Sequence, residues 1–351
     1  MIAFAEHVLR TVGNHVALAL ATGVATTVGT LIYRNGALKR GIIAQVNTRT
    51  LHEHIVPRGG GVVIAATFSI ATLAVWAGGS LSTTMCLALV GGGVAAATVG
   101  FVDDVHELRA TTKLGIHLLL SLGMLLVLYE PLYGDVLGKL EPLTRVVVIA
   151  AVVFVPLWLI NLYNFIDGVD GMAASGAVFI CAAATIILAL TKTGSSLSVV
   201  FVLLGASSFG FLLLNLPPAK IFMGDAGSIF LGYSFAVLIL TTVFSRQLSA
   251  WTWIALLSYF IADTTTTTVC RIALVKRWYG VHRSHAYQNL ARILNSHAKV
   301  TYGVVAYHVF WAFPLAVWSS MSPRYAPIAA ALAVAPGVAW TLRFGPRFSS
   351  A

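Results

Sequence analysis

The sequence predicts an all-α integral membrane protein: a polytopic bundle of about eleven transmembrane helices, N-terminus periplasmic and C-terminus cytoplasmic. Three observations predict it. Hydrophobic residues make up 58% of the 351 residues and charged residues 10%, and the mean hydropathy is +0.87; soluble domains carry roughly 25% charged residues. Apolar runs near the roughly 20 residues that cross a bilayer recur from end to end, near 14–33, 60–77, 82–102, 114–129, 145–163, 172–190, 197–214, 228–245, 251–270, 301–319 and 325–342. Sixteen of the 22 lysines and arginines fall in alternate gaps between these runs, and positive charge marks the cytoplasmic side.

The continuity of the apolar runs predicts a single domain over 1–351, with cytoplasmic loops near 34–59, 103–113, 161–171, 215–228 and 271–300. The net charge of +10 sits in short interhelical gaps rather than on one amphipathic face, which suits a membrane and gives no nucleic-acid partner. Cys86, Cys181 and Cys270 lie within apolar segments without metal-ligand spacing and read as small core residues. No cleavable leader is expected, since Glu6 and His7 precede the first apolar run.

Four polar clusters fall in the gaps assigned to the cytoplasm. Asp103 and Asp104 end one apolar span, where a carboxylate is costly unless a cation or partner offsets its desolvation; a helix-end pair facing water is the plain alternative. Between Asn161 and Gly171 stand Asn161, Asn164, Asp167 and Asp170 with two glycines. Hard cations prefer such oxygens, and magnesium takes few protein ligands and completes its shell with phosphates and water. An EF-hand calcium loop would end in a glutamate that is missing here; a plain interhelical turn is the other alternative. Phe222 to Ser228 sets Asp225 between glycines after Pro217-Pro218, which breaks the preceding helix. Asp225 there suits either an N-cap or a metal beside a diphosphate. His282, Arg283 and His285 lie in a basic loop where they suit phosphate oxygens or sugar hydroxyls, with anionic lipid as the alternative contact. Zinc would need a further nearby ligand. Together the clusters describe anions gathered at a membrane face, as phosphoryl transfer requires.

The Asp-Asp pair, Asn-x-x-Asn-x-x-Asp-Gly-x-Asp-Gly and Phe-Met-Gly-Asp-x-Gly-Ser, in this order over most of the chain, resemble the polyprenyl-phosphate N-acetylhexosamine-1-phosphate transferase family, also called glycosyltransferase family 4. The resemblance implies that Asp225 and Asn164 hold Mg2+, with Mn2+ as the alternative ion. It also implies that Asp167 and Asp170, with Asn161, help receive the nucleotide, and that Asp103 lies beside the acceptor phosphate with Asp104 as its electrostatic partner. Residues 52–61 look like the family's first cytoplasmic motif, associated with the lipid phosphate, and Arg58 is the residue expected to act there. The His-Arg-Ser-His-Ala-Tyr-Gln run differs from the histidine-rich run of the muramoyl-pentapeptide branch and looks like the branch that starts O-antigen and related polysaccharides. The activity implied by this resemblance is transfer of N-acetylhexosamine-1-phosphate from UDP-GlcNAc, UDP-FucNAc or UDP-QuiNAc to undecaprenyl phosphate, with UMP released at the cytoplasmic face of a bacterial inner membrane. The expected partners are the UDP-N-acetylhexosamine, undecaprenyl phosphate and membrane lipid, with a homodimer left open. Two rivals remain: a transporter of an anionic substrate, which would place charges at mid-depth, and an intramembrane aspartyl protease, which would leave the asparagines, arginine and histidines unexplained. Asp263, inside a span, is expected to support packing or the site.

Overall fold

The computed structural model describes residues 2–41, 56–129, 134–194, 196–274 and 284–346, and the described residues are helical, with no sheet among them. The principal helices are α1 (Ile2–Arg40), α2 (Gly61–Ala77), α3 (Thr83–His106, with a π turn at Leu87–Gly92), α4 (Ala110–Leu128) and α5 (Pro142–Ile166). They continue with α6 (Met172–Leu190), α7 (Ser196–Asn215), α8 (Gly224–Phe244), α9 (Ala250–Leu256) and α10 (Ser258–Leu274). The last are α11 (Ala286–Ile293), α12 (His297–Met321) and α13 (Pro323–Phe344).

Among the described residues nine helices are long and apolar enough to cross a bilayer. The expected spans near 60–77 and 251–270 also coincide with helix. The first is the seventeen-residue α2, and the second is split into α9 and α10 at Leu257. Nothing in Ile254–Tyr259 announces that break, since the segment holds neither proline nor glycine.

Helix ends follow local chemistry. Pro142 opens α5, where its missing N–H is no loss. Pro217-Pro218 keeps α7 from continuing past Asn215. Glu107 closes α3 in the left-handed conformation.

The helix α8 is the axis of the bundle. Every residue from Ala226 to Thr242 is buried, which accounts for a segment apolar on all sides. Its neighbours α2 and α3 come close because glycines face it, and α5 because Gly232 of α8 lies against the Leu159–Ile160 backbone. A Cβ on Gly61 would lie 2.2 Å from the Gly227 Cα, and one on Gly100 would lie 2.2 Å from the Asp225 carbonyl oxygen. Small residues at such crossings let backbones approach in lipid, where packing rather than water exclusion holds helices together. The opposite faces of the outer helices present Leu20, Leu119, Leu126, Val146 and Phe310 outward, as lipid contact requires.

Gly100 and Gly123 therefore respond oppositely to one methyl group. Gly100→Ala drives Cβ into backbone that cannot yield and is expected to cost about 1–3 kcal/mol or more; Gly123→Ala meets nothing within 4 Å and gains up to about 1 kcal/mol of helix propensity. Thermal unfolding in detergent should show a lower Tm for the first and an equal or higher Tm for the second. Equal responses would contradict the packing.

Candidate active site

One end of the bundle gathers the polar clusters. The segment before α2 pairs with the segment before α8. Phe222 N–H donates to the Pro57 carbonyl (2.9 Å), Gly60 N–H to that of Phe222 (3.0 Å) and Gly61 N–H to that of Met223 (2.9 Å). Tyr33 of α1 donates its hydroxyl to the Arg58 carbonyl at 3.1 Å. This short ladder brings Arg58, far earlier in the chain, beside Asp225.

Asp104 sits against the first turn of α8. Its two carboxylate oxygens accept from the Asp225 N–H (3.0 Å) and the Ala226 N–H (3.1 Å), donors that a helix N-terminus leaves unsatisfied. Gly224 lies at φ +72°, and a Cβ there would fall 2.5 Å from the same carboxylate, so both conformation and contact demand glycine. Arg58 Nε meets Asp104 Oδ1 at 2.7 Å, and its Nη2 reaches Asp225 Oδ1 at 3.3 Å. Lys113, in the first turns of α4, pairs with Asp103 Oδ2 and lies 3.1 Å from Asp225 Oδ2. Asp103 Oδ1 also accepts the Leu108 N–H at 2.7 Å.

Asp225 thus stands between two cations, each shared with one member of the Asp103-Asp104 pair. Sequence reading made Asp104 the electrostatic partner of Asp103; instead each aspartate has its own cation. The side chains of Asp103 and Asp104 are 1% exposed, whereas Arg58 and Lys113 are 34% and 29% exposed, so the cations form the open wall of the site.

The last turn of α5 and the loop after it complete the site. Asn164 Nδ2 donates to Ser228 Oγ on α8 at 3.2 Å. Asp167, beyond the end of α5, feels the charges of Asp225, Asp104 and Arg58 and the backbone N–H of Gly224. Burial first, and then the charges of Asp225 and Asp104, push its carboxyl well above the ordinary carboxylate range against the opposing pull of Arg58 and Gly224. The Arg58 guanidinium is held above its usual value although burial acts the other way, because Asp104, Asp225, Asp167 and Asp103 favour its charge.

The remaining expected residues lie apart from this centre or outside the described residues. Asp170 is buried; its Oδ1 lies 3.0 Å from His297 Nδ1 and its Oδ2 accepts the Ala219 N–H at 3.0 Å. Thr301 donates to its carbonyl at 2.7 Å. Asp170 therefore ties the loop after α5 to α12 and to the loop before α8, and Asn215 adds a second tie between those loops through Gly171 N–H and the Ile221 carbonyl. His285 is buried on Asp263, Nδ1 to Oδ2 at 2.8 Å, and the other oxygen of Asp263 accepts the Ala286 N–H at 2.8 Å. The supporting part expected of Asp263 is this hold on the start of α11. Tyr287 donates its hydroxyl to the Phe165 carbonyl and so seats α11 on the last turn of α5. Asn161 donates to its own helix at the Leu157 carbonyl (2.7 Å). His282 and Arg283 lie outside the described residues.

Sequence reading took Lys113 only as a marker of sidedness and passed over His117, Asn215 and His297. A lysine within the first turns of an apolar helix was the available signal for the first of these, because charge at that depth needs a partner.

Residues 86–243 match the profile of glycosyl transferase family 4. The chain is similar to a protein of Bacillus subtilis (strain 168) named "Probable undecaprenyl-phosphate N-acetylglucosaminyl 1-phosphate transferase", at 32% identity over 283 residues, 76% of this chain and 75% of the relative. It is also similar to the decaprenyl-phosphate N-acetylglucosaminephosphotransferase of Mycobacterium leprae (strain TN), at 30% identity over 315 residues, 80% of this chain and 78% of the relative. A shorter match, 32% identity over 200 residues, joins 50% of this chain to 58% of the phospho-N-acetylmuramoyl-pentapeptide-transferase of Lactobacillus delbrueckii subsp. bulgaricus.

Lys113→Met leaves Asp103 and Asp225 without their shared cation and is expected to lower stability in detergent by about 1–3 kcal/mol, the cost of a partly buried charge left unpaired. Adding Asp103→Asn to that variant should recover part of the loss, read as Tm. No recovery would mean that Lys113 acts through packing alone.

Proposed function

The chain belongs to the polyprenyl-phosphate N-acetylhexosamine-1-phosphate transferase family, and from that membership we propose that it transfers N-acetylhexosamine-1-phosphate from a UDP-sugar to undecaprenyl phosphate, with release of UMP. The observation that carries the reading is the convergence of Arg58, Lys113 and four aspartates at one end of the bundle. A transporter would place such groups along the depth of the membrane; here they stand at helix ends, where a water-borne nucleotide and a lipid headgroup can meet.

UDP-GlcNAc is the first donor to test, because the Bacillus and mycobacterial relatives carry N-acetylglucosamine in their names. UDP-FucNAc and UDP-QuiNAc are suggested by the likeness of the loop His282 to Gln288 to the O-antigen branch. The charge asymmetry of the gaps supports a cytoplasmic site in a bacterial inner membrane, with the N-terminus on the far side.

In the proposed reaction an oxygen of the lipid phosphate attacks the sugar-linked phosphorus in line. The new oxygen–phosphorus bond forms as the bond from that phosphorus to the bridging oxygen breaks, and UMP departs with the bridging oxygen. The second pKa of a phosphate monoester lies near 6, so much of the acceptor is already dianionic at neutral pH, and Asp103 orients it rather than deprotonating it. Lys113 and Arg58 take phosphate oxygens and the charge that spreads onto them. Asp104 keeps Arg58 and the first turn of α8 in place. The hold of Asp170 on His297 and Ala219 supports a part for it in shaping the nucleotide's loop rather than in touching the nucleotide.

The donor chemistry fits magnesium, with manganese as the alternative. Magnesium takes few protein ligands and completes its shell from phosphates and water. The carboxylates Asp103, Asp104, Asp167 and Asp225 outnumber the cations Arg58 and Lys113, and the charges of Asp225 and Asp104 add to the burial that pushes the Asp167 carboxyl up. Asp225 and the oxygen of Asn164 would hold the ion. When bound it supplies positive charge against the diphosphate.

The test is UMP release by purified protein given undecaprenyl phosphate and each UDP-sugar. Release should depend on Mg2+ and stop with EDTA. Asp225→Ala should lower turnover by about 10³-fold or more while the protein still inserts in the membrane. No UMP from any UDP-sugar would remove the transferase reading, retained turnover in Asp225→Ala would remove the metal assignment, and a phosphoryl group trapped on Asp103 would replace direct attack by a two-step route.

A further inference from the structure

His117 of α4 stands one turn deeper in the bundle than Lys113, on the same face of the helix. It is 2% exposed, and neither ring nitrogen has a hydrogen-bond partner among the described residues. Burying a polar group without a partner costs free energy comparable to a lost hydrogen bond. The polar groups around it are those of the site: Asn161, Asp225 and Lys113. On the other side of the same helix Leu114, Leu118 and Leu119 are exposed, the face that meets lipid.

We propose that His117 is a substrate-positioning residue that donates a hydrogen bond to the phosphate of the polyprenyl acceptor. The inference rests on the transferase reading above and adds to it the group that receives the lipid headgroup from below. A headgroup reaching Lys113 from within the bilayer passes the level of His117, one helical turn deeper; a UDP-sugar arrives from the loop side and does not. Neutral imidazole carries one donor and one acceptor. Asn161, whose amide donates to the Leu157 carbonyl at 2.7 Å, lies beside the ring, and the imidazole donor is directed to the phosphate oxygen. This gives Asn161 a part in the site through His117, although its amide turns back to its own helix.

The experiment compares steady-state constants for UMP release in wild type, His117→Phe and His117→Gln, varying undecaprenyl phosphate and the UDP-sugar separately. His117→Phe keeps a ring and removes the donor. It should raise KM for undecaprenyl phosphate ~10-fold or more, the loss of one hydrogen bond to a charged group, leave KM for the UDP-sugar within about 2-fold, and hold or raise Tm because an unpartnered polar group is gone. His117→Gln restores a donor and should recover most of the acceptor KM.

An unchanged acceptor KM in His117→Phe overturns the proposal, and so does an equal rise in both KM values. Should His117→Phe not purify folded, His117→Met carries the same comparison, with the same rise in acceptor KM expected and the same results overturning it. Absence of UMP release in the wild type rejects the transferase reading itself, whereas wild-type turnover with an unshifted acceptor KM in the variant rejects only the role of His117.

Discussion

The paired hold of Arg58 and Lys113 on Asp225 is the interaction on which the rest of this end of the molecule depends. A carboxylate at the lip of an apolar helix is unfavourable by itself. Here it is offset twice, by Arg58 at 3.3 Å and Lys113 at 3.1 Å. Each cation is in turn fixed by one of two adjacent aspartates at the end of α3. Segments far apart in the chain are thereby locked to one point. An unpaired partner would cost more than the pair itself contributes, so the cluster enforces geometry more than it adds stability.

That lock requires close backbones. Asp104 reaches the first N–H groups of α8 only because Gly224 turns left-handed beside it, and α3 reaches α8 only because Gly100 has no side chain. The Pro57–Gly61 and Phe222–Met223 segments hydrogen-bond along their backbones for the same reason, since Gly61 and Gly227 touch. The packing of α8 and the placement of the charged groups are one constraint seen at two levels: helix crossings without side chains bring carboxylates and cations within bonding distance. The exposed sides of Arg58 and Lys113 then give the cluster its reach toward anionic substrates.

Hydropathy made the helices legible, because lipid allows no other structure for an apolar segment of this length. The site was legible where charge stood at a span end: Asp103, Asp104 and Asp225 are expensive in that position and announce themselves. Lys113 did not, since lysine near a helix end is also what sidedness and snorkelling predict. Asp167 and Asp170 read as one oxygen-rich set, but the turn at Gly168 separates them, and three residues suffice to send one to Asp225 and the other to His297. The buried ties of Asn215, His285 and Asp263 depend on partners distant in the chain, so single-sequence spacing held no sign of them. The break at Leu257 is likewise set by packing, with no breaker residue to mark it.

The central claim is that Asp225 and Lys113 act as one unit in turnover. A double-mutant cycle on kcat/KM for UMP release, with Lys113→Met, Asp225→Asn and the pair, reads that coupling directly. The account predicts that the double variant is no slower than the slower single variant, because either change alone already dismantles the unit. Losses that multiply would show two independent residues and contradict it.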